Sequence, residues 1–199
     1  MRSTAATLAL VLTIILAAGI FAWTATHALF YASDSGLPAP AQAEPLTAAT
    51  SSLPSLLIIP SLNISAHVQY VGVNAQGNMR APSNFTDVAW YELGTVPGQL
   101  GSSVIDGHVD NGLGLDGVFK HLDELKVGDD VYIQMQNGGK LHFVVSDIET
   151  YQYQDVPLQM LFSRSDAARL NLITCEGTWV PSGDTYDHRI VIYTKLVNS

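Results

Sequence analysis

The 199-residue chain has one cysteine, Cys175, and 9 basic side chains against 18 acidic ones. A lone thiol excludes an internal disulfide and any zinc site built on several thiolates. The formal net charge of −9 disfavours nucleic acid as a partner, because phosphate binding needs clustered Lys and Arg. Asp, Glu, Lys and Arg are missing altogether from residues 3–33, and Arg2 is the sole basic residue before Arg80. No internal repeat is visible. What the chain does have is apolar side chains, 47% of the total, enough for a buried core and too many for wholesale disorder.

The apolar residues fall into two regions. The first runs from Ala5 to Tyr31, with Trp23, Phe30 and Tyr31 towards its outer end. About 20 apolar residues in a helix cross a bilayer core, and aromatic side chains gather at its interfaces. Residues 1–32 are therefore expected to form one N-terminal transmembrane helix. Arg2 and the α-amino group favour a cytoplasmic N-terminus, with the rest of the chain outside. A cleaved signal peptide is the rival reading, since Ala41-Gln42-Ala43 has the small-residue cleavage pattern. That site lies far beyond the apolar run, and the run exceeds the usual h-region of about 7–15 residues. An uncleaved anchor is favoured. Residues 33–55 contain Pro38, Pro40, Pro45 and Pro54 among Ala, Ser and Thr, which reads as a flexible, partly extended linker.

The second region, residues 56–199, reads as an all-β domain. Short β-rich runs cover Leu56–Ile59, Ile64–Val73, Ser102–Ile105, Asp130–Met135, Leu141–Ile148, Arg169–Thr174 and Arg189–Leu196. Turn signals separate them, including Pro97-Gly98, Gly128-Asp129 and Asn137-Gly138-Gly139. Many short strands at this spacing suggest a barrel or a sandwich. Gly117–Leu125 and Pro157–Phe162 are expected to be short helical turns.

Cys175 follows the predicted strand Arg169–Thr174 and precedes an expected polar loop, Glu176–His188. Residues at strand ends and in the adjoining loops commonly carry catalysis on a rigid scaffold. A free cysteine is otherwise a small buried hydrophobe. A thiol acts as a nucleophile through its thiolate, so it needs a cationic or basic neighbour. Of the six histidines, His27 lies in the apolar run, while His67 and His142 lie within predicted strands. His121 sits in a helical turn, and His188 precedes Arg189. His108 stands out, because it ends the apolar run Val104-Ile105-Asp106-Gly107 and shares the strand-end position of Cys175. Arg189 opens the predicted last strand, where its guanidinium could stabilise a thiolate or an oxyanion. A salt bridge to Asp187 or Glu176 is the competing use of that arginine.

These residues resemble the sortases, the cysteine transpeptidases that attach proteins to bacterial cell walls. The resemblance covers residues 57–199. It runs through Ile59-Pro60-Ser61-Leu62-Asn63-Ile64, Trp90-Tyr91, Ile105-Asp106-Gly107-His108-Val109-Asp110, Gly117-Val118-Phe119-Lys120-His121-Leu122, Leu172-Ile173-Thr174-Cys175 and His188-Arg189. It implies an eight-stranded closed β-barrel. It makes Cys175 the nucleophile, His108 the general acid/base and Arg189 the residue that steadies the oxyanion. It also places Thr174 along the peptide-binding site. The implied reaction cleaves a C-terminal sorting signal such as Leu-Pro-any-Thr-Gly between Thr and Gly. The acyl group then passes to an amine of a peptidoglycan precursor, at a bacterial cell membrane.

Asn171 stands where the family often has Thr. Residues 33–55 lack the Asp-Pro-aromatic lid of pilin-assembling relatives, and the chain stops soon after its last strand, so a single-anchor enzyme of the class E/F kind is expected. No cofactor is expected. Some sortases bind calcium through carboxylates, but the spacing of Asp106, Asp110, Asp116, Asp123 and Glu124 does not form a calcium loop. An L,D-type peptidoglycan transpeptidase would carry a Ser-any-Gly-Cys motif, which Ile173-Thr174-Cys175-Glu176 lacks. A non-catalytic, membrane-tethered binding barrel with an inert buried Cys175 is the other alternative.

Overall fold

The computed structural model describes residues 36–40, 53–111 and 114–197. The predicted membrane segment and most of the predicted linker lie outside them. Among the described residues no helix is long and apolar enough to cross a membrane.

Eight strands close into a barrel. They are β1 (Pro54–Ile59), β2 (Ile64–Val71), β3 (Val88–Tyr91), β4 (Gly101–Gly107), β5 (Asp130–Met135), β6 (Lys140–Gln152), β7 (Ala168–Val180) and β8 (Thr185–Leu196). Their order around the barrel is β1-β2-β3-β4-β7-β8-β6-β5. The pairs β2–β3 and β4–β7 are parallel, and the remaining pairs are antiparallel. Closure removes the free edges that would otherwise invite pairing with another chain. The expected helical turns shrink to a 3₁₀ turn at Leu122–Glu124 and the short helix α1 at Leu158–Phe162.

Successive side chains of a strand point to opposite faces. Inside the barrel, Leu57, Trp90, Ile105, Ile133, Phe143, Leu172 and Ile192 belong to one buried cluster. Across four neighbouring strands the alternate residues are also apolar. Ala89 and Tyr91 of β3, Val104 of β4, Ile173 of β7 and Val191 and Tyr193 of β8 form a second buried cluster on the outer face. Leu161 and Phe162 of α1 help to cover it, and so does Leu37 from the otherwise undescribed N-terminal region. Residues 36–40 lie extended there. Pro38 makes an antiparallel bridge with Asn78. The Met79 N–H donates to the Leu37 carbonyl at 2.7 Å, and the Ala39 N–H to the Gly77 carbonyl at 3.2 Å.

Two sequence expectations are corrected here. β3 was not foreseen, because Val88-Ala89-Trp90-Tyr91 is four residues long and buried on both faces, so it lacks the alternation that marks a strand. The polar stretch Glu176–His188 was expected to be a loop, yet most of it is a hairpin that extends β7 and β8. Trp179 pairs with Tyr186 and Val180 with Thr185. The Trp179 and Tyr186 rings meet edge to face at 5.4 Å, a cross-strand aromatic contact that favours pairing over polar composition. Cys175 and Arg189 consequently sit inside long strands rather than at a strand end and a strand start.

Candidate active site

Cys175 on β7 lies directly across from Arg189 on β8. Cys175 has the same parity as Ile173, and Arg189 the same parity as Val191, so both face the outer side of the sheet. The parallel partner of β7 is β4, with Asp106 opposite Ile173. His108 follows Gly107, the last residue of β4. The Thr174 hydroxyl donates to the Gly107 carbonyl at 2.6 Å, so the residues just before Cys175 and His108 are tied together. The three predicted catalytic side chains therefore come from three adjacent strands and converge on one end of one face. All are buried: Cys175 is 6%, His108 4% and Arg189 2% exposed.

The imidazole orientation is fixed. His108 Nε2 lies 2.9 Å from the Pro82 carbonyl. A carbonyl only accepts, so Nε2 carries the hydrogen, and Nδ1 is the ring nitrogen not engaged by Pro82. The other described histidines are occupied elsewhere or exposed. His142 pairs with Asp130, His121 with Glu124 and His188 with Asp187, while His67 is exposed.

Arg189 is held by groups that position its charge. Nη1 donates to the Tyr186 and His188 carbonyls, and Nη2 donates to the Thr185 hydroxyl at 2.7 Å. The guanidinium stacks over the Tyr153 ring at 4.6 Å, a cation–π arrangement. Asp187, one of its expected carboxylate partners, accepts from His188 and from the Thr178 N–H. Those two bonds hold the Asp187 carboxyl below the usual carboxylate range.

Thr174, expected to line the peptide site, is 1% exposed and its hydroxyl is used on Gly107. It holds β4 and β7 in register beside the centre. Two glycines serve the same geometry. A Cβ on Gly107 would meet the Phe119 ring at 2.5 Å, and Gly177 sits at φ +85°, where a Cβ would meet Asp187 Oδ1 at 2.2 Å. Gly177 lies in the β7–β8 register shift between Glu176 and Trp179. Bulges next to active sites commonly re-aim a strand in this way.

Tyr153, Thr185, Tyr186 and Pro82 were missed by sequence reasoning. Tyr153 and Pro82 carry no local motif. Thr185 and Tyr186 become site residues through the hairpin, whose turn the sequence signals at Pro181-Ser182-Gly183. A cleft of about 290 Å³ opens beside the centre, walled by Asp110, Asp123, Glu176, Lys120, His121 and Tyr186. Among the described residues no three His, Cys, Asp or Glu side chains gather as a metal-binding group.

A closed barrel that mounts a thiol, an imidazole and a guanidinium together defines a cysteine-dependent acyl-transfer enzyme. Residues 57–197 match the family model of the sortase domain, and the chain belongs to the sortase family of cysteine transpeptidases. Solved structures agree on the fold. Sortase C from Clostridium perfringens SM101 is 20% identical, with a TM-score of 0.54 over 74% of this chain and 71% of that one. Sortase A from Corynebacterium diphtheriae is 20% identical, with a TM-score of 0.56 over 74% and 61%. A C. perfringens sortase C structure with the C-terminal cell wall sorting motif is 21% identical, with a TM-score of 0.57 over 77% and 75%. No curated protein matches the chain.

Proposed function

We propose that this enzyme cleaves a sorting signal of the Leu-Pro-any-Thr-Gly type between Thr and Gly and joins the released carboxyl end to a cell-wall amine. The observation that carries the reading is the register that sets Cys175 against Arg189 and ties Thr174 to Gly107. The C. perfringens sortase C structure with the C-terminal cell wall sorting motif supports a sorting-motif substrate in general. The apolar, uncharged segment between Arg2 and Ala32 supports an N-terminal anchor that holds the enzyme in a bacterial membrane with its barrel outside.

The Cys175 thiolate attacks the Thr carbonyl, and a C–S bond forms. Arg189 holds the oxyanion of the tetrahedral intermediate. His108 Nδ1 gives its proton to the departing glycine nitrogen, the C–N bond breaks, and a thioester remains. An acceptor amine then attacks the thioester. His108 Nδ1 takes the amine proton, the thiolate leaves, and a new amide bond closes the cycle. Thr174 acts as a positioning residue for both strands.

The direct test uses the full chain in detergent micelles with a Leu-Pro-Ala-Thr-Gly peptide, with and without a glycine or diamine acceptor. Intact-mass measurement is expected to find a Cys175 thioester and an acceptor-dependent ligated peptide. A folded protein whose Cys175 alkylates freely but forms no thioester would overturn the substrate assignment.

Arg189→Lys is expected to lower kcat by about 100-fold, the scale of losing an oxyanion donor. Lysine keeps the charge but cannot reproduce the fork onto Thr185, Tyr186 and His188. Single-turnover thioester formation measures this, and a loss below about threefold would remove Arg189 from the oxyanion role.

A further inference from the structure

Two residues beyond His108 the chain is tied to the strand that carries Arg189. The tie runs through Tyr186 of β8. Its hydroxyl donates to Asp110 Oδ2 at 2.5 Å, and its carbonyl accepts from Arg189 Nη1 at 3.1 Å. The side chain of Tyr186 thus grips the segment that bears one proposed catalytic group, while its main chain grips another.

His108 sits where the sheet no longer holds it. Gly107 is the last residue of β4, and the register of β4 with β7 runs out at Asp106 opposite Ile173. From there the chain doubles back as a small hairpin of its own. The Phe119 N–H donates to the His108 carbonyl and the Gly117 N–H to the Val109 carbonyl, both at 2.9 Å, and Asp110 bridges Asp116. A Cβ on Gly117 would meet the His108 carbonyl oxygen at 2.2 Å, so the two arms are closely packed. His108 is carried on this hairpin. Thr174 of β7 holds its root at Gly107, and Pro82 holds the ring through Nε2. Neither ties the hairpin to β8, whereas Asp110 does. Tyr186 is itself steadied by the Trp179 ring, which it meets edge to face at 5.4 Å.

We propose that Tyr186 is a positioning residue for the reaction, a clasp on Asp110 that holds the His108 hairpin against β8 and so fixes His108 relative to Cys175 and Arg189. This rests on the acid/base role proposed above for His108. A hydrogen bond to a carboxylate is roughly twice as strong as one between neutral groups, which suits a join that must not slacken. The tolerance is narrow, because a misplacement of about 1 Å at a reacting group can cost about 100-fold in rate.

The test removes the clasp from the full chain in detergent micelles. It reads kcat and KM for the amide peptide Leu-Pro-Ala-Thr-Gly and for an activated ester of Leu-Pro-Ala-Thr. Tyr186→Phe keeps the ring on Trp179 and the carbonyl on Arg189 and loses only the hydroxyl. It is expected to lower kcat for the amide about tenfold, with KM changed less than about twofold. The ester, whose leaving group needs no proton from His108, is expected to lose less than about twofold. Asp110→Ala is expected to match Tyr186→Phe, and the double variant to lose no more than either alone. Asp110→Asn keeps an acceptor oxygen and is expected to retain amide turnover within about threefold. Unchanged amide kcat in folded Tyr186→Phe would overturn the clasp. Equal losses on amide and ester would also overturn it, since the effect would then not pass through His108. An amide peptide that no form of the enzyme cleaves would overturn the substrate assignment instead, and alkylation of Cys175 by iodoacetamide then decides the clasp. The pH–rate profile of Tyr186→Phe is expected to shift towards that of His108→Gln, and a profile that keeps the wild-type shape would overturn the clasp.

Discussion

Cys175→Ala is expected to leave no thioester and to reduce peptide cleavage by more than about 10⁴-fold, as loss of a covalent nucleophile does elsewhere. The physical basis is local. Cys175 is the chain's sole thiol, and it faces the same side of the sheet as the Arg189 opposite it. Alanine differs by one sulfur atom at a buried position, so the barrel should still fold. The measurement is intact mass of the acyl-enzyme together with cleaved peptide by chromatography. Persistent cleavage by folded Cys175→Ala would mean that another group, or an activated water, does the chemistry.

His108→Gln is expected to lower cleavage of an amide substrate by about 10²–10⁴-fold, the usual contribution of a positioned acid or base. Glutamine can still donate a hydrogen bond to the Pro82 carbonyl that His108 Nε2 reaches at 2.9 Å, but it cannot carry a proton to the leaving nitrogen. An activated ester of the same peptide, whose leaving group departs without protonation, is expected to lose less than about tenfold. The contrast between amide and ester separates proton transfer from mere disruption of packing. Equal losses for both substrates would assign His108 a structural role.

Part of the barrel was legible because its strands alternate. Asp130–Met135 is a clear case: it has buried residues at Val131, Ile133 and Met135 and partly or fully exposed ones between. β3 was not legible, since it is only four residues long as well as enclosed on both faces, whereas β4 and β7, also enclosed beside the site, are longer strands and were read. The hairpin beyond Cys175 was hidden by its polar composition. Its pairing rests on a Trp/Tyr contact across the strands, which a reading along the chain does not see. The positions of His108, Cys175 and Arg189 were readable as residues that follow or flank apolar runs, whereas the groups that aim them were not. Tyr153 beneath Arg189 lies in the turn that follows β6, and Pro82 against His108 in the stretch before β3, and their contacts exist only once these segments meet β8 and the end of β4. Leu37 sat in a stretch read as a spacer, and its burial depends on the apolar outer face that receives it.

The parallel pairing of β4 and β7 bears on when this protein can act at all. Thr174 and Gly107 are 67 residues apart in the chain, and β5, β6 and α1 lie between the two strands. Parallel contacts over such separations are closed late, because the entropy of the intervening loop must be overcome before they form. Until then the β7–β8 hairpin can set Arg189 opposite Cys175, but no His108 is held at its side. A chain that is half folded, or locally unravelled at this seam, carries an ordinary thiol with the reactivity of a free cysteine. Transpeptidase activity is thus gated by completion of the fold, and loss of the β4–β7 seam should silence the enzyme before the rest of the barrel melts.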